Sequence, residues 1–254
     1  MTAKTKLLLY ELYWLGDQIT CPTFRNLSNS FEAWAYSKGL LQTIFRLQDE
    51  EILETQGKSL ERVIQLTDKG RQLVHGNREP EAEWMREWNQ SWKMVIFDIP
   101  ESQRLLREQL RKFLRSQHFG CFQQSVWLSP HPMDSINASI REVAPDLSSL
   151  TLMECRLLPG ENDADVVNTA WDFSAINTHY EDYIKHLDSF ENQLNSINTD
   201  HYLSLESSLW EKALKHDPLL PTSLLPKGYL GKKAYRLRCK KMPKLISNIL
   251  KKHK

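Results

Sequence analysis

The sequence predicts an α+β protein of three consecutive domains, at residues 1–80, 81–165 and 166–254. Three observations lead there. Helix-period apolar runs over residues 7–48 give way to two short runs split by a glycine turn. Residues 93–158 alternate between strand-like and helix-like patterns. From Trp171 onward the periodicity is again helical. The 254 residues allow two or three small domains at roughly 100–200 residues each. Hydrophobic residues make up 41% and charged ones 26%, which excludes long disorder, collagen and a disulfide scaffold.

In the N-terminal part, Leu7, Leu8, Tyr10, Leu12 and Leu15 fit one face of a first helix, ended by Gly16 and Asp17. Thr20-Cys21-Pro22 can start a second, with Phe24, Leu27 and Phe31 inward, and a short helix follows around Phe31–Tyr36. Residues 39–48 read as another helix. Leu40, Leu41, Ile44, Phe45 and Leu47 are its apolar positions; Lys38, Gln42, Thr43 and Arg46 are its polar ones. Residues 52–55 and 60–66 flank the turn signal Gln56-Gly57-Lys58-Ser59 and read as a β-hairpin. Thr67 then caps a last helix. The order helix, helix, helix, hairpin, helix is that of a winged helix-turn-helix.

In the central part, Trp84, Trp88 and Trp92 recur every four residues, the spacing of one helical stripe. Residues 93–100 form a buried-strand pattern stopped by Pro100. A helix follows from Glu101 to Arg115, with Leu105, Leu106, Leu110, Phe113 and Leu114 inward and Arg104, Arg107 and Arg111 outward. Residues 120–128 read as strand, 133–143 as helix and 150–158 as strand. That succession is ferredoxin-like.

In the C-terminal part, Ile176, Tyr180, Tyr183, Ile184, Leu187, Phe190 and Leu194 share a face of a long helix, and a second helix spans residues 201–214. The net charge of +1 conceals an uneven distribution. Residues 1–225 carry 22 basic and 32 acidic residues; residues 226–254 carry 11 basic and no acidic ones. Such asymmetry points to a polyanionic partner. Lys232, Lys233, Arg236, Arg238, Lys240 and Lys241 are expected to act as accessory phosphate contacts, with Pro243 breaking any continuous helix. The alternatives are a solubilising end and a membrane-surface segment.

A winged helix places its recognition helix in the major groove of double-stranded DNA. Here Gln42 has the groups to read adenine bidentately and Arg46 those to read guanine, with Thr43 beside them. Lys38 and the wing residues Lys58 and Arg62 would hold phosphates. The competing reading is an ordinary solvated surface. Asp49, Glu50 and Glu51 sit badly near phosphate, so they face away from DNA or mark the helix end.

Two families are resembled. Residues 95–130, which run from Val95 through Asp98 and the Arg-rich helix to Val126-Trp127-Leu128-Ser129-Pro130, resemble the small ferredoxin-like subunit of CRISPR spacer acquisition. That resemblance implies a metal-binding role for Asp98 in nuclease chemistry; the plainer reading is a helix cap. A fuller resemblance is to the phenylacetic acid catabolism repressors (PaaX). It rests on Trp92 to Pro100, Arg104 to Arg115, Gly120, Ser125-Val126-Trp127, the Trp171-Asp172 opening, and the segment from Asp217 through Pro218, Pro221 and Pro226 to Tyr229 and Gly231. The family's usual recognition-helix sequence is replaced here by Leu41-Gln42-Thr43-Ile44-Phe45-Arg46-Leu47. This resemblance implies a homodimeric repressor released from DNA by an acyl-CoA, typically phenylacetyl-CoA. Arg104, Arg107 and Arg111 are candidates for the effector's phosphates; a solvated helix face is their alternative.

No phosphate-binding loop, nucleophile elbow or zinc-protease motif occurs, and the four cysteines are widely spaced, so no cofactor or metal is expected. The short apolar run at residues 7–10 is not a secretory segment and no membrane span is expected, which places the chain in the cytoplasm. The reading favours a non-enzymatic transcriptional regulator. A metal-dependent nuclease acting through Asp98 and a sequence-indifferent nucleic-acid binder remain as alternatives.

Overall fold

The computed structural model describes residues 3–15, 39–56, 63–74, 78–133, 136–143, 150–193 and 199–252. The expected helices near Thr20 and Phe31 and the hairpin turn at residues 57–62 lie outside them. Helix and sheet are both present, as an α+β chain requires. The chain divides into two compact units. One comprises Met1–Glu79, His179–Lys212 and Gly231–Lys254, the other Pro80–Thr178 and Ala213–Leu230.

The first unit contains α1 (Ala3–Leu15), α2 (Leu41–Asp49), the antiparallel strands β1 (Leu53–Gln56) and β2 (Val63–Leu66), and α3 (Asp68–Val74). Ile44 and Leu47 bury one face of α2. Its end is a reverse turn built on Glu51, whose φ of 57° is left-handed. The Ile52 N–H donates to the Leu47 carbonyl at 2.8 Å and the Glu51 N–H to that of Gln48 at 2.9 Å, which satisfies carbonyls that a helix end leaves open. The acidic run Asp49–Glu51 thus marks the helix end. Thr67 caps α3 as expected, its Oγ1 accepting from the Gly70 N–H at 3.1 Å and donating to the Glu51 carbonyl at 2.7 Å. Gly70 has no substitute there: a Cβ would lie 2.3 Å from the Ile52 carbonyl oxygen.

The rest of this unit is helical. Most of α8 (Phe173–Gln193) and α9 (Thr199–His216) belong to it, with all of α10 (Gly231–Lys252). Helix α1 packs on α10, α3 and β2. Pro243 lies inside α10 without ending it, contrary to expectation. The following residues, Leu245 and Ile246, are buried, so packing carries the helix past the missing N–H.

Arg238 and Glu206, both fully buried, meet at the centre of this unit. Arg238 Nε donates to Glu206 Oε1 at 2.9 Å, and its terminal nitrogen donates to the Val74 carbonyl at 3.1 Å and Tyr10 Oη at 3.2 Å. Tyr10 and Tyr183 donate their hydroxyls to the two Glu206 oxygens at 2.7 and 2.6 Å. The guanidinium stands 4.8 Å from the Trp210 ring centre and 5.5 Å from that of Trp14. Burial pushes the Glu206 carboxyl up, but Arg238 and these hydrogen bonds outweigh it and hold it below the ordinary carboxylate range. Burial, and then the Glu206 charge, push both phenols up, so they stay protonated and donate.

The second unit holds α4 (Pro80–Met85) and a four-stranded antiparallel sheet. Its strands are β3 (Trp92–Phe97), β4 (Gly120–Gln123), β5 (Val126–Ser129) and β6 (Leu150–Cys155), in the order β4-β5-β3-β6. A 3-10 turn (Glu101–Gln103) leads into α5 (Arg104–Ser116), and α6 (Ile136–Val143) precedes β6. This is the β-α-β-β-α-β arrangement that the alternation predicted. Val95, Phe97, Trp127, Leu110, Leu114 and Ile140 fill the space between sheet and helices. Residues 120–128, read as strand, make two strands joined by a tight turn. Leu105, expected inward, is 82% exposed.

The tryptophans are not one helical stripe. Trp84 is in α4, Trp88 follows it, and Trp92 opens β3. Trp88 and Trp92 still meet edge to face at 5.2 Å, and Trp92 donates to Asp163 Oδ1 at 2.8 Å. Asp163 begins α7 (Asp163–Ala170), a helix the sequence reading did not mark. Ala170 and Trp171 press on Gly120, where a Cβ would lie 2.6 Å from each.

Arg238→Ala leaves a buried carboxylate without its cation. It should lower the stability of the chain to urea by about 3–5 kcal/mol. Because Glu206 titrates low when folded, its stabilisation should be fully present above roughly pH 4.3 and fade as pH falls below that. Glu11 gives the opposite sign. It is only 6% exposed, and its Oε2 has no hydrogen-bond partner. Burial pushes its carboxyl from 4.5 to about 7. The folded chain then keeps a proton that the unfolded chain releases, so stability should fall as pH rises from 4.5 to about 7. In thermal melts, Glu11→Gln should stabilise the chain more at pH 8 than at pH 5; an equal gain at both would contradict this.

Candidate functional site

The α2 helix buries Ile44 and Leu47 on one side and carries the expected DNA-reading residues on the other. Gln42 and Arg46 are exposed, one turn apart, and Thr43 is half-buried. Arg46 faces Glu50 at 3.8 Å with both side chains about half exposed, an i,i+4 pair too well solvated to hold the guanidinium firmly. Phe45, assigned to the apolar set, is 61% exposed and shares the outer side. Lys38, Lys58 and Arg62, the expected phosphate contacts, lie outside the described residues. The turn at Glu51 and the Thr67–Gly70 contacts fix how α2, β1 and α3 meet.

The basic tail is the helix α10, and its cations separate into kinds. Lys233, Arg236 and Lys240 are exposed, as is Lys244 one turn further on. Lys241 is tied to Asp188 at 2.9 Å and to the Leu187 carbonyl at 3.4 Å. Lys232 is half-buried, and burial, then Arg236, lower its pKa. Arg238 corrects the expectation of a phosphate contact: it is wholly buried, and Glu206 already neutralises it.

In the second unit the arginine row of α5 is largely engaged within the fold. Arg107 donates to Glu101 at 2.6 Å and to the Ile99 carbonyl at 3.5 Å. Its hydrogen bond, then its charge, lower the Glu101 carboxyl. Arg111 donates to Glu108 and to the Gln124 carbonyl, each at 3.1 Å. Arg104 is exposed. Arg107 and Arg111 thus have partners within the fold, while Arg104 stands out to solvent. Asp98 is exposed beyond β3. Neither the 3-10 turn nor α5 takes a side-chain cap, so Asp98 is not the helix cap of the plainer reading. Among the described residues, no group of three or more His, Cys, Asp or Glu side chains is arranged to hold a metal ion.

A groove of about 600 Å³ was not foreseen. It lies on the second unit beside Lys93, Leu152 and Glu154 of the sheet, Arg86 and Asn89 after α4, and Met133. Lys93 pairs with Glu154 at 2.6 Å, and Arg86 with Glu83 at 2.5 Å and with His131. The Glu83–Arg86 spacing is visible in sequence. The Lys93–Glu154 pair comes from strand register, which sequence spacing does not reveal. The proline-rich segment after Asp217 is structural: buried Asp217 accepts from the Leu219 N–H at 2.8 Å and from Tyr229 Oη, and Tyr229 packs edge-on against Trp84 and Phe173. No described helix is long and apolar enough to cross a membrane.

Comparison with known proteins agrees with this architecture. Residues 85–167 match the PaaX protein central Cas2-like domain, and residues 171–253 match the PaaX-like protein C-terminal domain. No curated protein sequence matches the chain. Among solved structures, the uncharacterized protein Rv0674 from Mycobacterium tuberculosis has a similar fold, with a TM-score of 0.55, 19% identity and 97% of each chain covered. With both matched domains in their expected order over residues 85–253, the chain belongs to the PaaX family.

Proposed function

We propose that the protein is a cytoplasmic, homodimeric, DNA-binding transcriptional repressor, released from its operator by an acyl-CoA-type effector. PaaX family membership supports a regulator. The observation that carries the DNA-binding part is the exposure of Gln42 and Arg46 on a helix whose other side is buried, joined through a fixed turn to a two-stranded hairpin and a capped helix. In this reading residues 1–80 form the winged helix, and α2 enters the major groove. Gln42 and Arg46 read base edges, Thr43 lies beside them, and Lys38, Lys58 and Arg62 hold phosphates. No enzymatic step and no metal are assigned to Asp98.

The effector part rests on the family resemblance and on a need for two states. A ligand releases DNA only by favouring, through differential affinity, a dimer whose recognition helices no longer match the two half-sites. The groove bounded by Arg86, Lys93 and Met133 has the size of a ligand pocket. Its two cations are already paired, so an acyl chain suits it better than three unpaired phosphates do.

Arg46→Ala should weaken binding to the preferred duplex by roughly 1–3 kcal/mol, about 5- to 150-fold, and relax the preference at one base pair. A footprint and titration identical to those of the unaltered chain would remove Arg46 from the interface. Phenylacetyl-CoA at saturation should lower affinity for the same duplex at least tenfold, while CoA alone should not; unchanged affinity across a panel of acyl-CoAs would remove the effector.

A further inference from the structure

The exposed cations of α10 form one stripe. Lys233, Arg236, Lys240 and Lys244 follow each other at three- or four-residue steps, which sets them along one side of the helix. The buried side is formed by Ala234, Arg238, Met242, Leu245 and Ile246. The 22 residues of α10 contain no acidic side chain, and Asp188 is taken by Lys241. Among the described residues, no carboxylate pairs with any of the four.

This arrangement works against the helix. Like charges at i,i+3 and i,i+4 repel, and the lysines near Gly231 lie at the end where the helix dipole already favours anions. An ordinary solvated face would intersperse both signs. A membrane-surface helix needs an apolar side free for lipid, and the apolar side of α10 is already spent inside the fold.

We propose that this stripe binds the sugar-phosphate backbone of duplex DNA, as a second contact outside the base-reading helix. The inference rests on the DNA-binding reading above and adds to it which cations touch DNA, and that they do so without reading sequence. Lys233 to Lys244 rises about 16 Å along the helix. One DNA strand presents about five phosphates over that length. Arg238 anchors the stripe. Its bonds to Glu206, Tyr10 and the Val74 carbonyl fix α10 against α1 and the end of α3, within the unit that carries α2.

The experiment uses the full chain and the variant K233Q/R236Q/K240Q/K244Q. Both are titrated by fluorescence anisotropy onto a 30-base-pair duplex of arbitrary sequence and onto the preferred duplex, over a salt series. A control with each lysine changed to arginine and Arg236→Lys keeps the charge. The slope of log K against log salt should become shallower by about 3–4 in the glutamine variant on both duplexes, with the preference ratio unchanged. The charge-keeping control should retain the full slope. An unchanged slope with sequence preference intact overturns the stripe and leaves the repressor reading standing. A shallower slope in a chain with no sequence preference supports the stripe and sinks the repressor reading. No binding to any duplex by the unaltered chain overturns both. Loss in the variant of binding to vesicles of phosphatidylserine and phosphatidylcholine, with the DNA slope unchanged, assigns the stripe to membranes instead.

Discussion

A guanidinium and a carboxylate, both removed from water, meet where five separate parts of the chain converge. Burying such a pair is unfavourable unless every hydrogen-bonding group around it is used and the geometry is close. Here Tyr10 and Tyr183 cap the two oxygens of Glu206, the Val74 carbonyl takes one end of Arg238, and Trp14 and Trp210 offer aromatic faces. Apolar packing alone would let α1, α8, α9 and α10 slide along one another. The directional bonds to the pair specify one register. They also draw in the last residue of α3, so the helix that follows the hairpin shares the same anchor.

That anchor explains why the most basic part of the chain is not a loose appendage. One of its cations, Arg238, is fully buried, and Lys233, Arg236, Lys240 and Lys244 are displayed from the helix it holds. The second unit achieves its order differently, with a sheet closed over apolar side chains and Trp92, Trp171 and Gly120 in close contact. Arg86, Arg107 and Arg111 are held there by local carboxylates and carbonyls, while Arg104, Arg115 and Arg156 are exposed. Lys233, Arg236, Lys240 and Lys244 thus display positive charge along one helix, although the chain as a whole is nearly neutral.

Much of the fold was legible because it depends on local rules. The α2 face, the Thr67 cap, the hairpin, the order of strands and helices from Trp92 to Cys155, and the inward side of α8 all follow from short-range periodicity and turn chemistry. What misled was periodicity without context. Three tryptophans at helical spacing occupy a helix, a loop and a strand, because Trp92 is needed on the sheet. Pro243 interrupts a hydrogen bond but not the packing that carries α10 onward. Arg238 looked like its basic neighbours because nothing local distinguishes it; its partner Glu206 is 32 residues away and Tyr10 is 228 away. The candidate contacts on α2 were legible for the opposite reason. A binding surface is what the fold does not use, and the unused side of an amphipathic helix is visible in sequence.

Selection from a random pool of duplexes, using the full-length chain, tests the central claim most directly. The account predicts enrichment of one motif, made of two related half-sites about one helical turn apart or a multiple of it, as two copies of α2 in successive major grooves require. A bound pool that stays random in sequence after repeated rounds would contradict it.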